Sequence, residues 1–286
     1  MFKIAQIFVF TFLFFQTSQA ADTAATLLEE IVEKKAQTTT MAVIPAAGRG
    51  TRFGEEGIIK PKGFIEVVGQ PIIYQSLANL ANNGIANVLF VTGHCNKYYE
   101  ELAQNLKSPT IKTAHNVDFA KFGNMHTVYT AKGFVTDSIL LLDSDIIYPE
   151  QVLKALINDP HPNVLLATTT TKSGDEVYVE VDSDRNLVNL SKNPSGMTID
   201  SESVGICKLS VKCFEAMCAN YEAALKTDPN LKMEYEQGLI AVCKENPVHV
   251  LRLRFEDQCP WTEIDTQEHY KRAIDYVIPL MKQLNK

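Results

Sequence analysis

The sequence predicts an α/β fold built on a doubly wound, mostly parallel sheet, and three features of the chain predict it. Strand-like and helix-like segments alternate from residue 41 to about 157, the pattern of crossover units in a parallel sheet. The run Ser138-Ile139-Leu140-Leu141-Leu142 is continuously apolar, as expected of a strand covered on both faces. Val43-Ile44 leads into a turn with Gly48, Gly50 and Gly54, at the kind of strand end where open α/β sheets take their ligands.

The elements follow in order. Leu27, Leu28 and Ile31 share one face of a helix expected over Thr23 to Lys35. The first strand covers 41–45. Gly69-Gln70-Pro71 opens a helix over 71–83, closed by Asn83-Gly84. A second strand covers 86–92, a helix Tyr98 to Asn105, and a short strand Ile111 to Ala114. A helix from about Met125 to Lys132 precedes the 138–142 strand, and Pro149 starts the next helix, reaching about Ile157. Val164 to Thr169 continues the core. The pattern then changes to a hairpin, with Tyr178 to Asp182 alternating, a turn at Asp184-Arg185-Asn186, and Leu187 to Leu190 returning. Cys207 sits in a buried strand. Helices are expected at 211–226 and 232–244, a strand at 248–253 and a last helix from about 266 to 284.

The turn after the first strand also carries Arg49, Arg52, Lys60 and Lys62. Glycines let backbone N–H groups converge on an anion, and the cations neutralise its charge. The loop matches neither GxGxxG nor GxxxxGK[ST], so a polyphosphate held there is held in another way.

At the other end of the composition, Lys3, the apolar run Ile7 to Phe15 and Ser18-Gln19-Ala20 have the layout of a secretory signal peptide cut after Ala20. The expected organisation is a signal peptide at 1–20, a helix and linker at 21–40, and one domain at 41–286. Export to the periplasm or beyond is the expected address, with an uncleaved anchor holding the domain on the cytoplasmic side as the alternative. The run falls short of the roughly 20 residues of a membrane span, and no stable span is expected after cleavage. A net charge of −7 argues against a nucleic-acid partner. The six cysteines contain no CxxC spacing, which disfavours structural zinc. They are expected mostly reduced and core-packed, with room for one oxidised pair.

Asp143 and Asp145 end the central apolar run, and a second acidic group, Glu263 and Asp265, follows Trp261-Thr262. Carboxylates in such places serve as helix caps or loop acceptors, or hold Mg²⁺ together with substrate phosphates.

Together these residues resemble the nucleotidyltransferases of the MobA-like and sugar-phosphate pyrophosphorylase superfamily. The family loop, AAG-x-G-x-R followed by P-K, reads here Ala46-Ala47-Gly48-Arg49-Gly50-Thr51-Arg52 with Pro61-Lys62. The resemblance implies a Rossmann-like sheet of the nucleotidyltransferase type with a small hairpin-rich acceptor-binding region. It implies that Ala46, Ala47, Gly48, Gly50 and Thr51 cradle a nucleoside triphosphate. Arg52 and Lys62 would neutralise phosphates, and Asp145 and Asp265 would hold Mg²⁺, with Asp143 beside them.

Within that superfamily the chain is most similar to the LicC-like phosphocholine and the 2-aminoethylphosphonate cytidylyltransferases. Gly123 to Tyr129, Glu202 to Ile206, Tyr235-Glu236 and Glu263-Ile264-Asp265 carry this narrower likeness. It implies CTP and a small phosphate or phosphonate acceptor as partners, with Asn124 near the cytosine or the acceptor, in a monomer or homodimer. An amine end of the acceptor calls for aromatic and acidic groups; Tyr178, Glu180, Glu202, Tyr235, Glu236, Trp261 and Glu263 are the expected contacts. Two alternatives stay open: a sugar-1-phosphate nucleotidyltransferase, and an exported non-catalytic binding protein or effector with this fold.

Overall fold

The structure is a computed structural model that describes residues 39–284. The expected signal peptide, its cleavage point and the helix over Thr23 to Lys35 lie outside the described residues. Among the described residues no helix is long and apolar enough to cross a membrane.

The chain enters the sheet on β1 (Met41–Ala46), whose residues alternate between the two faces. After the glycine loop come a short helix α1 (Glu55–Ile59), the small ladder β2 (Glu66–Val67) with β3 (Gln70–Pro71), and α2 (Ile72–Asn82). Then follow β4 (Asn87–Thr92), α3 (Lys97–Asn105), β5 (Thr110–His115), α4 (Asn124–Thr130) and β6 (Ile139–Leu142). The chain continues through β7 (Ile146–Ile147), α5 (Gln151–Asn158), β8 (Val164–Thr168), the hairpin β9 (Tyr178–Val181) and β10 (Leu187–Ser191), and β11 (Ser201–Leu209). It ends with α6 (Val211–Thr227), α7 (Tyr235–Ile240), β12 (His249–Leu253), β13 (Thr262–Glu263), α8 (Gln267–Arg272) and α9 (Ile278–Leu284).

In the sheet, β5, β4, β1 and β6 lie side by side and parallel. β11 runs antiparallel to β6 on one edge and to β8 on the other, and β12 closes the sheet parallel to β8. The β9–β10 hairpin hangs on the amino end of β11. Strand residues point alternately to opposite faces, and the core divides accordingly. Val43, Leu89 and Leu141 pack with Met125, Phe214 and Leu239 of α4, α6 and α7. Ala42, Ile44, Phe90 and Leu142 pack with Ile73, Tyr99 and Leu153 of α2, α3 and α5. Helices therefore cover both faces, as the doubly wound pattern requires.

Two helices and the cysteines differ from the sequence expectation. The helix expected at 232–244 spans only Tyr235–Ile240, because Glu234 and Gln237 form a reciprocal capping box that starts it. The last helix is interrupted by a π-turn at Ala273–Val277. The six cysteines are all free, five of them buried and Cys95 partly exposed, so the oxidised pair does not form.

Candidate active site

β1 releases the chain at Ala46, directly into the glycine loop. Gly50 adopts φ 63° and Gly54 φ 82°, the left-handed region in which a side chain is strained. A Cβ on Gly50 would strike the carbonyl oxygen of Gly57, and one on Gly57 would strike that of Gly50. The loop is thus folded tightly against α1. The Ala47 carbonyl accepts from His94 N–H at 3.2 Å, tying the loop to the end of β4.

At the carboxyl end of β6 the chain is stitched to two later segments. Asp143 N–H donates to the Gly205 carbonyl at 3.0 Å, and Ile264 N–H to the Asp145 carbonyl at 2.9 Å. β7 pairs with β13, Thr262 opposite Ile147 and Glu263 opposite Ile146. This pairing carries Asp265 to Asp145 from far along the chain. Both carboxylates are buried, 6% and 2% exposed, and both form ion pairs with the Lys62 ammonium. Asp265 is not the cap of the following helix; Thr266 is, accepting from His269 N–H at 3.2 Å.

Burial alone would lower the Lys62 ammonium, but the charges of Asp145 and then Asp265 outweigh it and hold its pKa above the ordinary lysine value. Burial would raise Asp265; Lys62 and Arg52 hold it below the usual carboxylate range. Glu263 lies 4.0 Å from the His269 ring, outside the Lys62 pair. Burial, then the charges of Asp265 and Asp145, push it up to about 9. Arg52 pairs with Asp265 and, at 2.9 Å, with Asp175, which also takes Lys192 at 2.6 Å.

These groups line a cleft of about 780 Å³. Of the residues expected from sequence, Ala47, Gly48, Arg52, Lys62, Asn124, Asp143, Asp145, Glu202, Tyr235, Glu236, Trp261, Glu263 and Asp265 all reach it. Asn124 Oδ1 accepts from Tyr235 N–H at 2.6 Å, and Tyr235 Oη donates to Asp143 Oδ2 at 3.2 Å. Burial, then the charges of Asp145 and Glu236, push Asp143 well above the usual carboxylate range. Glu202 accepts from Thr171 N–H and hydroxyl at 2.6 and 3.1 Å. Trp261 Nε1 donates to Thr168 at 3.0 Å.

Ala46, Gly50 and Thr51 support the loop without lining the cleft, and Tyr178 and Glu180 lie outside it. Tyr178 borders a separate recess of about 440 Å³ beside Lys172 and Glu176. Glu180 accepts from Thr198 N–H at 3.1 Å. The hairpin turns these two side chains away, and offers Leu190, Ser191 and Lys192 to the cleft instead. Sequence reasoning missed Asp175, Lys192, Glu234, His269 and Arg272, which also line it. The one available signal was the Thr/Ser/Gly-rich segment 168–174 beside an acidic residue.

The donor set suits a divalent cation. Asp145 and Asp265 face one point, the one now answered by the Lys62 ammonium. Carboxylate oxygens of Asp175, Glu263 and Asp265 lie within 4.8 Å of one another. Oxygen donors of this kind match a hard cation.

Residues 42–233 match the family model described as the MobA-like NTP transferase domain. Over 144 residues, 50% of this chain, the sequence is 31% identical to the CMP-5'-(3-aminopropyl)phosphonate synthase of Streptomyces rubellomurinus, of which it spans 23%. It spans about half or less of the length of other curated relatives it matches. In fold it is similar to the inositol-1-phosphate CTP transferase from T. maritima, with TM-score 0.70 and 18% identity over 87% of this chain and 97% of that one. It is also similar to the CTP:phosphocholine cytidylyltransferase LicC from Streptococcus pneumoniae, with TM-score 0.68 and 18% identity over 82% of this chain and 97% of that one. The family match runs from β1 to the approach of α7, through most of the fold that builds this cleft, and on it the chain belongs to the MobA-like NTP transferase domain family.

Proposed function

We propose that this chain transfers CMP from CTP to a small amino-alcohol phosphate or aminoalkylphosphonate, releasing pyrophosphate, with Mg²⁺. The observation that carries the reading is the Lys62 ammonium between Asp145 and Asp265, beside a glycine loop that presents Arg52. The similarity to a phosphonate CMP synthase supports the choice of nucleotide and acceptor class.

An acceptor phosphate or phosphonate oxygen attacks the α-phosphorus of CTP, the bond to the bridging oxygen breaks, and pyrophosphate leaves. The acceptor is already an anion at neutral pH, so no general base is needed, and the barrier is charge repulsion and misalignment. Lys62 neutralises the reacting oxygens, while Arg52 and the backbone of 48–51 hold the departing pyrophosphate. Asp145 and Asp265 would hold Mg²⁺, with Asp143 beside them. When bound, the ion supplies a positive charge that polarises the phosphoryl oxygens. Glu202, Tyr235, Glu236, Trp261 and Glu263 surround the space left for the acceptor.

The test is a panel assay of pyrophosphate release from CTP and Mg²⁺ with phosphocholine, 2-aminoethylphosphonate and several sugar 1-phosphates. Turnover with either of the first two is expected. Turnover solely with a sugar 1-phosphate, or with no acceptor, overturns the reading. The leader-like pattern of Lys3, the apolar run Ile7 to Phe15 and Ser18-Gln19-Ala20 supports export as the address, and N-terminal sequencing of the native protein tests that independently.

A further inference from the structure

Asp159, His161 and His249 stand at the far end of the sheet from the cleft. His249 opens β12 opposite Val164, the first residue of β8. The cleft instead follows the carboxyl end of β6, a strand running in the same direction. We propose that these three residues form a binding site for a borderline divalent transition metal such as Zn²⁺, separate from the nucleotide cleft.

One ring nitrogen from each histidine and one carboxylate oxygen lie within 4.8 Å of one another. Two imidazoles and a carboxylate are the donors of a zinc site with an open fourth position, and suit Zn²⁺ better than Mg²⁺. The segments that supply them are already held together. His161 stands between Pro160 and Pro162, whose rings restrict the backbone. Asn163 Nδ2 donates to the Pro247 carbonyl at 3.1 Å, and its Oδ1 accepts from Ser210 N–H and hydroxyl at 2.9 and 2.8 Å. His249 N–H donates to the Asn163 carbonyl at 2.9 Å, and the Lys208 ammonium to the Asp159 carbonyl at 2.6 Å.

His249 Nδ1 is buried with no hydrogen-bond partner, a cost that a ligand would remove. The two imidazoles are stacked, centroids 4.0 Å apart and planes 15° apart. Parallel rings point their lone pairs side by side, so a shared cation requires one ring to turn. His161 is the one free to turn, its side chain 48% exposed. Turning releases its Nδ1 from Asp159 Oδ1, now at 2.8 Å, and leaves both for the metal. The bound ion clips the 159–163 loop to the start of β12, and stabilises the fold by mass action.

The experiment uses the full chain, stripped of metal by a chelator and kept in excess Mg²⁺ to occupy the carboxylates of the cleft. Zn²⁺ alone is titrated by calorimetry, and thermal unfolding is followed in parallel. One equivalent of Zn²⁺ is expected to bind and raise Tm. His161→Ala, at a half-exposed ring, and His249→Gln should each weaken Zn²⁺ binding by at least about tenfold, the least that losing even an outer partner of a bound metal costs. His161→Ala should leave the nucleotide-induced rise in Tm unchanged. Absence of Zn²⁺ binding by the wild type, unchanged affinity in His161→Ala, or loss of binding in Asp265→Asn instead, overturns the proposal.

Discussion

The Lys62 ammonium is ion-paired to Asp265, 203 positions later in the chain. The same ammonium answers Asp145, so the cation and both proposed metal ligands converge on one point. Any divalent ion must share those carboxylates with Lys62 or displace it. Lys62→Ala should therefore tighten Mg²⁺ binding while cutting kcat/KM by about 10² or more, the scale of a lost transition-state contact. Lys60, paired among the described residues only with Glu56 of α1, should tolerate alanine with near-wild-type turnover. Equal large losses in both variants would show the catalytic lysine misassigned.

Asp145→Asn and Asp265→Asn keep shape and remove charge. Each should lower kcat/KM by about 10² or more, read in steady state across a Mg²⁺ titration. Asp143 differs, since Tyr235 Oη donates to it and burial with the charges of Asp145 and Glu236 favours its protonated form. An amide is close to a protonated carboxyl in size and polarity, so Asp143→Asn should cost less than tenfold. Wild-type turnover in Asp145→Asn or Asp265→Asn would remove the metal role from that residue.

The sheet was legible because its strands alternate or run continuously apolar, and β1, β4 and β6 lie within a residue or so of their expected bounds. The glycine loop and the two acid segments were legible as local motifs. Asp175 was not, because it sits in a loop without periodicity and meets Arg52 across 123 residues. Tyr178 and Glu180 show the limit of alternation. It identifies a hairpin, but not which face of the hairpin looks toward a ligand, and that depends on how β9 joins β11. α1 is five residues long and contains Gly57, too short for a helical period to register.

Gly50→Ala tests whether the loop geometry matters as a unit. The new methyl would meet the Gly57 carbonyl, a backbone group that cannot rotate away, and φ 63° adds strain of about 1 kcal/mol or more. The loop must move off α1, carrying Arg52 from Asp265. The expected result is a lower Tm together with a CTP-induced Tm rise that is reduced or lost. Unchanged nucleotide stabilisation would show that the loop does not hold the phosphates.

Glu202 should make stability depend on pH. The residue is 1% exposed, and burial pushes its carboxyl up to about 7 against the opposing hydrogen bonds from Thr171. In the unfolded chain it titrates near the ordinary glutamate value of about 4.3. A folded-state pKa above the unfolded one means the folded protein binds this proton more tightly. The resulting stabilisation is complete below the unfolded value and is lost as pH rises through about 7, on the order of 3–4 kcal/mol in all. Glu202→Gln removes the titration while keeping an acceptor for Thr171. The difference in Tm between Glu202→Gln and wild type should therefore move in favour of the variant between pH 5 and pH 8. Other titrating groups, Glu236 among them, are common to both proteins and cancel in that difference. A Tm difference that stays flat across the range, or moves the other way, would show that Glu202 is ionised throughout.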